Sequence, residues 1–183
     1  MPDTITRIAH EGYSVLELNK VAFRRTGRIE AQCALDSTQF SKDVPAENGM
    51  LLVVDPVAHK VKLPAAATDS VLLNYTSEHV YDERQVGLRN YCTIPGEILP
   101  RLGYLEKGDI FTTNCVSFAK GDTFAAESDF WEAVDECAET PMYGCPHTDG
   151  SINVSTSATN AVVQVICGTT LPDGQKAIKF YTL

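Results

Sequence analysis

The densest group of potential metal ligands in the 183-residue chain is Cys137, Cys145 and His147, the last two joined in a Cys-Pro-His run. Zinc sites usually supply their thiolates as close C-x(2–4)-C pairs. Here seven residues separate Cys137 from Cys145 and no second pair follows. Packing of Cys137 on a helix face and burial of Cys145 in a loop account for the same residues, so no metal and no cofactor is expected. Nucleophilic catalysis needs a Cys or Ser within reach of a base. His10, His59, His79 and His147 offer four bases, none beside a recognisable nucleophile motif, and there is no G-x-S-x-G elbow. Paired carboxylates could work as acid and base, but the acidic helix face and Tyr81-Asp82-Glu83-Arg84 read as solvated surface. No catalytic residue is assigned. Tyr75, Tyr81, Tyr91, Tyr104 and Phe111 could form an aromatic platform, or pack in the core and rim of a β-domain.

Positioning such residues falls to strands. The C-terminus alternates, with Ile178 and Phe180 on one side and Lys179 on the other; His59–Leu63 places Val61 and Leu63 inward and Lys60 and Lys62 in solvent. Met50–Val54, Val71–Tyr75 and Ala161–Cys167 are apolar on both faces and need cover on both sides. Residues 50–63 read as a hairpin through the Pro56 loop. Tyr13–Leu18 and Arg28–Leu35 read as two strands around a Gly27 turn, and Ile110–Thr113 as a further strand. In Leu99–Asp109, Gly103 and Gly108 are placed where the backbone adopts angles other residues resist. Their spacing and the strand that follows do not fit a phosphate loop. One helix is expected over about 128–138, capped by Ser128, with Phe130, Val134 and Cys137 forming an apolar stripe. Ser151–Asn160 is a polar strand or an exposed loop.

The fold class that follows is mainly β: an antiparallel β-barrel or β-sandwich with one short helix, a single domain over 1–183, with residues 1–12 as an extended N-terminal arm. A net charge of −9 argues against a surface that neutralises phosphates, so direct nucleic-acid binding is not expected. Arg24, Arg25 and Arg28 make a small basic cluster suited to a solvated rim or a carboxylate-rich partner. No apolar run approaches the ~20 residues that span a bilayer, and no apolar segment follows the N-terminus, so no membrane partner is expected. The six cysteines then read as free buried thiols.

Several phrases occur together: Glu11-Gly12-Tyr13-Ser14-Val15-Leu16-Glu17, Val21-Ala22-Phe23, Asn48-Gly49-Met50-Leu51-Leu52-Val53-Val54-Asp55, Lys60-Val61-Lys62-Leu63-Pro64 and Leu99-Pro100-Arg101-Leu102-Gly103-Tyr104. Over roughly residues 10–115 the chain resembles small proteins of tailed bacteriophages encoded beside the major capsid protein. The resemblance implies a virion structural protein, a head decoration or cement protein. It would assemble in the host cytoplasm, bind the major capsid protein on the capsid exterior and form a homo-oligomer such as a trimer. Two other readings stand beside it: a carbohydrate- or receptor-binding module displayed on the virion, and a hydrolase of unknown type.

Overall fold

The computed structural model describes residues 4–76, 89–121 and 123–183, which carry sixteen strands and two helices. Eight strands form the larger sheet, in the order β1 (Thr4–Arg7), β12 (Val116–Lys120), β14 (Ile152–Ser155), β13 (Tyr143–Pro146), β15 (Val163–Thr170), β16 (Lys176–Thr182), β11 (Ile110–Thr113), β2 (Leu16–Lys20). Six form the second: β3 (Ile29–Glu30), β10 (Leu102–Gly103), β8 (Leu72–Asn74), β6 (Leu51–Asp55), β7 (Lys60–Lys62), β4 (Ala34–Leu35). A two-stranded ribbon pairs β5 (Ala46–Glu47) with β9 (Cys92–Thr93). The helices are α1 (Phe23–Thr26) and α2 (Glu127–Asp135). The fold is therefore mainly β, and of the two expected architectures it is sandwich-like sheets rather than a closed barrel. Pairing is antiparallel except between β12 and β14 and between β4 and β7.

Alternation within the strands explains the layering. In the second sheet Leu51 and Leu73 point into a core shared with Phe111, Phe118, Val154, Val165, Ile178 and Phe180 of the larger sheet. Their neighbours Leu52 and Leu72 point the opposite way, into a smaller core closed by Cys33, Leu35, Phe40 and Cys115. Met50–Val54 and Val71–Tyr75 thus receive the double cover their composition demands. Ala161–Cys167 does not. Val163 and Val165 are buried, while Ile166 and Cys167 are exposed beyond a register shift between Val165 and Cys167. The unpaired Ile166 turns the strand, so the residues after it change faces.

The hairpin at 50–63 forms with Val53 opposite Lys62 and Asp55 opposite Lys60, and Lys62 Nζ lies 2.9 Å from Asp55 Oδ2. The N-terminal pair of strands is different from the sequence reading. Residues 16–20 join the larger sheet and 29–30 the second, separated by α1, which ends at Gly27 in the left-handed conformation (φ 71°). Arg28–Leu35 itself divides, because β3 and β4 lie at opposite edges of the second sheet. Of residues 1–12, Thr4–Arg7 is an edge strand antiparallel to β12.

The second helix begins one residue earlier than expected, and Ser128 is not its cap. Ala126 holds that position in an extended conformation, and the Asp129 carboxylate accepts from the Ala126 N–H at 3.0 Å. Phe130, Trp131 and Val134 are its buried face, with Phe130 stacked on Phe118 at 4.8 Å. Gly108 has the positive φ (94°) anticipated for it; Gly103 does not, and is required instead because a Cβ there would stand 2.5 Å from the Phe23 ring.

Candidate functional site

Among the described residues, three places bring chemically capable side chains together. The first lies where β1 meets the ribbon. Arg7, at the end of β1, reaches Glu47 of β5 with Nη1 at 2.9 Å from Oε1 and Nη2 at 3.2 Å from Oε2. Ser14 donates to the same carboxylate through its N–H at 2.6 Å and its hydroxyl at 2.5 Å. Arg7 Nη2 is also 3.0 Å from Ser14 Oγ and 3.4 Å from Cys115 Sγ. Glu47, Ser14 and Cys115 are buried, so four polar groups are spent on one another between the sheets. Burial by itself raises the Glu47 carboxyl, but the hydrogen bonds and charge of Arg7 and the donors of Ser14 outweigh it and hold the group below its ordinary value. Cys115 goes the other way: burial pushes its thiol up to about 11, against the pull of Arg7. A thiol held protonated and shut away from solvent is a structural group, not a nucleophile.

The second place is the turn after β13. Asp149 Oδ1 accepts from Ser151 N–H at 2.8 Å and from Ser151 Oγ at 2.5 Å, and lies 2.8 Å from His147 Nδ1. The Ser151 and Ser117 hydroxyls are 2.8 Å apart. Serine, histidine and aspartate are all present, but the serine bonds the carboxylate and not the imidazole, which is the wrong order for a charge-relay triad. The arrangement ties the turn to β12. Asp149 is held below the usual carboxylate range: burial would raise it, but the Ser151 bonds and then His147 lower it.

The third is an open cleft of about 400 Å³ beside the N-terminus of α2, lined by His10, Glu11, Arg89, Glu127, Asp173 and Lys176 among others. Most of its charges are already engaged. Arg89 pairs with Glu11. Glu127 accepts from Trp131 Nε1 at 3.1 Å and from Ala9 N–H at 3.1 Å. Lys176 Nζ sits 4.9 Å from the centre of the Trp131 ring. His10 Nδ1 is buried with no hydrogen-bond partner among the described residues. Burial, then the nearby Arg7 charge, lowers the His10 pKa, so the imidazole is neutral at neutral pH.

The residues singled out from the sequence are dispersed. Cys137 Sγ contacts the Ile166 carbonyl at 3.4 Å, Cys145 Sγ contacts the Asn153 carbonyl at 3.7 Å, and His147 faces Asp149. No three described His, Cys, Asp or Glu side chains are grouped to hold a metal ion. Tyr75 and Phe111 are in the core, Tyr91 is half-buried and Tyr104 is exposed, so the described aromatics divide between core and surface. His59 occupies the exposed β6–β7 turn at φ 52°. His79 and Tyr81–Arg84 lie outside the described residues. The six cysteines are unbridged in the structure, and of the six expected to be buried only Cys33, Cys115 and Cys137 are. Sequence reasoning missed the Arg7–Ser14–Glu47–Cys115 cluster because its members are up to 108 positions apart, with no local motif.

At the corner of the second sheet, Arg28 stacks over Tyr104 with its guanidinium carbon 5.3 Å from the ring centre and pairs with Glu106 at 2.9 Å. Tyr104 follows β10 and the exposed Ile98 and Leu99 precede it. No family model, curated protein or solved structure matches this chain.

Proposed function

We propose that this chain is a virion structural protein that binds and stabilises an assembled phage capsid, a decoration or cement protein whose partner is the major capsid protein. The observation that carries the reading is an exposed stretch, Ile98, Leu99 and Tyr104, with Arg28 stacked over the Tyr104 ring beside the edge strand β3. Tyrosine and arginine are the residue types that anchor protein interfaces, and exposed aliphatic side chains next to them supply the apolar area an interface buries. Arg24, Arg25 and Arg28 fall close together in the sequence of an otherwise acidic molecule, a basic stretch suited to a carboxylate-bearing protein surface. The sequence resemblance over residues 10–115 points the same way. In this reading the protein assembles in the host cytoplasm, sits on the capsid exterior and associates as a trimer.

The test is light scattering on the purified chain, followed by co-sedimentation with capsids that lack it. Saturable binding at a fixed copy ratio is expected. A chain that stays in the supernatant, or that is found in tails and not on heads, overturns the proposal.

A second reading, a small-ligand module, is favoured by the cleft at His10. Its mixed charges suit a polar molecule such as a sugar. Calorimetric titration with soluble glycans separates the two, since the capsid reading expects no heat of binding there. The same cleft supports a hydrolase only through His10, whose pKa burial lowers.

A further inference from the structure

The end of α2 and the bulge in β15 bring two thiols to one place. The Cys137 thiol donates to the carbonyl oxygen of Ile166 at 3.4 Å. That oxygen belongs to the peptide unit leading into Cys167, and standard peptide dimensions put it roughly 2.8 Å from the Cys167 Cα. Cys137 Sγ is therefore no more than roughly 6 Å from the Cys167 Cα, and the two thiols are near enough for Cys167 to act electrostatically on Cys137. Two features of the fold create the approach. Pairing of β13 with β15 stops at Gln164, which leaves the edge of β15 open beyond Val165, and α2 ends against that opening. The unpaired Ile166 then sends its carbonyl toward Cys137 and leaves Cys167 exposed. Gly168 keeps the contact close: a Cβ there would meet Val134 and Asp135 of α2 at 3.1 Å.

We propose that Cys137 and Cys167 are a redox pair that closes to an intramolecular disulfide when the protein meets a disulfide oxidant such as oxidised glutathione. The exposed Cys167 attacks first as its thiolate, forming a mixed disulfide and releasing one glutathione thiolate. Cys137 then attacks the Cys167 sulfur, its S–S bond forms, and the second glutathione thiolate leaves. Two protein thiols are oxidised, one oxidised glutathione is reduced to two thiols, and the two thiol protons end on them. The division of labour follows from the surroundings. Burial, and then the neighbouring Cys167, raise the Cys137 pKa, and Cys137 is buried while Cys167 is open to the oxidant, so Cys137 acts as the resolving partner. The other four cysteines do not share the site: Cys33 and Cys115 are buried, and Cys92 and Cys145 are half-buried elsewhere. The bond ties the C-terminal end of the helix to the larger sheet across the open edge. The inference is independent of the capsid reading.

The experiment incubates the full chain with oxidised glutathione at neutral pH, quenches with a thiol alkylator and maps peptides without reduction. The expected product is one cross-linked peptide pair containing Cys137 and Cys167, with the other four cysteines alkylated and an upward shift of the thermal midpoint that a reductant reverses. In Cys167→Ser the cross-link and the shift both vanish, and the reduced variant melts as the reduced parent does because the residue is exposed. In Cys137→Ser, Cys167 accumulates as a stable glutathione mixed disulfide. A parent chain that stops at that mixed disulfide, or that links Cys167 to a second molecule, overturns the pairing.

Discussion

Glu47 carries the largest single-residue prediction. It is the shared acceptor for Arg7 and Ser14, so Glu47→Ala strands a guanidinium and a buried N–H. Breaking a buried pair from one side costs several kcal/mol, and because Arg7 retains some access to water the lower end applies, about 3 kcal/mol. For a domain of this size that is roughly 10 °C in thermal midpoint, read by calorimetry. The pH dependence has a definite sign. The folded Glu47 pKa is depressed, so its stabilisation is fully present above its unfolded value of about 4.3 and is lost as pH falls through the folded value. Asp149 behaves the same way. Acid unfolding below about pH 4.3 is therefore expected to be steep in the parent and shallower in Glu47→Gln. His10 acts in a different window. Its folded pKa is lowered by burial and by Arg7, so the unfolded chain takes up a proton that the folded chain resists. Stability is expected to decline as pH falls below about 6.5, and His10→Gln to remove that decline while leaving the acid limb in place.

At the scale of elements, glycine positions test whether the layers are as close as described. Gly103 in β10 lies under the Phe23 ring, which itself packs on Tyr75 at 4.8 Å. Gly103→Ala is expected to cost about 1–3 kcal/mol by overpacking, although the backbone φ there suits alanine. Gly108→Ala tests the opposite cause: nothing stands within 4 Å of its added Cβ, but φ is 94°, so the loss comes from backbone strain, about 1 kcal/mol or more. Comparing the two by denaturant unfolding separates steric from conformational glycine requirements within one short segment. Helix α2 was legible because Phe130 and Val134 recur at helical spacing. Its cap was not, since Asp129 caps from inside the helix and Ser128, itself in the first turn, is of a residue type that resembles a cap more closely.

For the whole molecule, the expected outcome concerns the exposed stretch. If Ile98 and Leu99 contribute to a capsid interface, the double change Ile98→Lys, Leu99→Lys abolishes co-sedimentation while leaving the melting curve within about 1 °C, because both side chains are exposed in the free chain. A variant that still saturates capsids places the contact elsewhere on the molecule.

The amino-acid order alone determined the class of the fold. Period-two runs such as 176–182 and doubly apolar runs such as 50–54 require strands, and strands covered on both faces require layers, because backbone polar groups must pair and apolar faces must leave water. Local signals also placed the 50–63 hairpin and α2 within a few residues. What only the tertiary structure decided is who meets whom. Strands β3 and β4 leave the same short segment for opposite edges of one sheet, and a single unpaired residue at Ile166 turns Cys167 outward. Arg7, Glu47 and Cys115 meet only after three distant segments converge. Strand order and register are set by contacts far apart along the chain, and no local spacing encodes them.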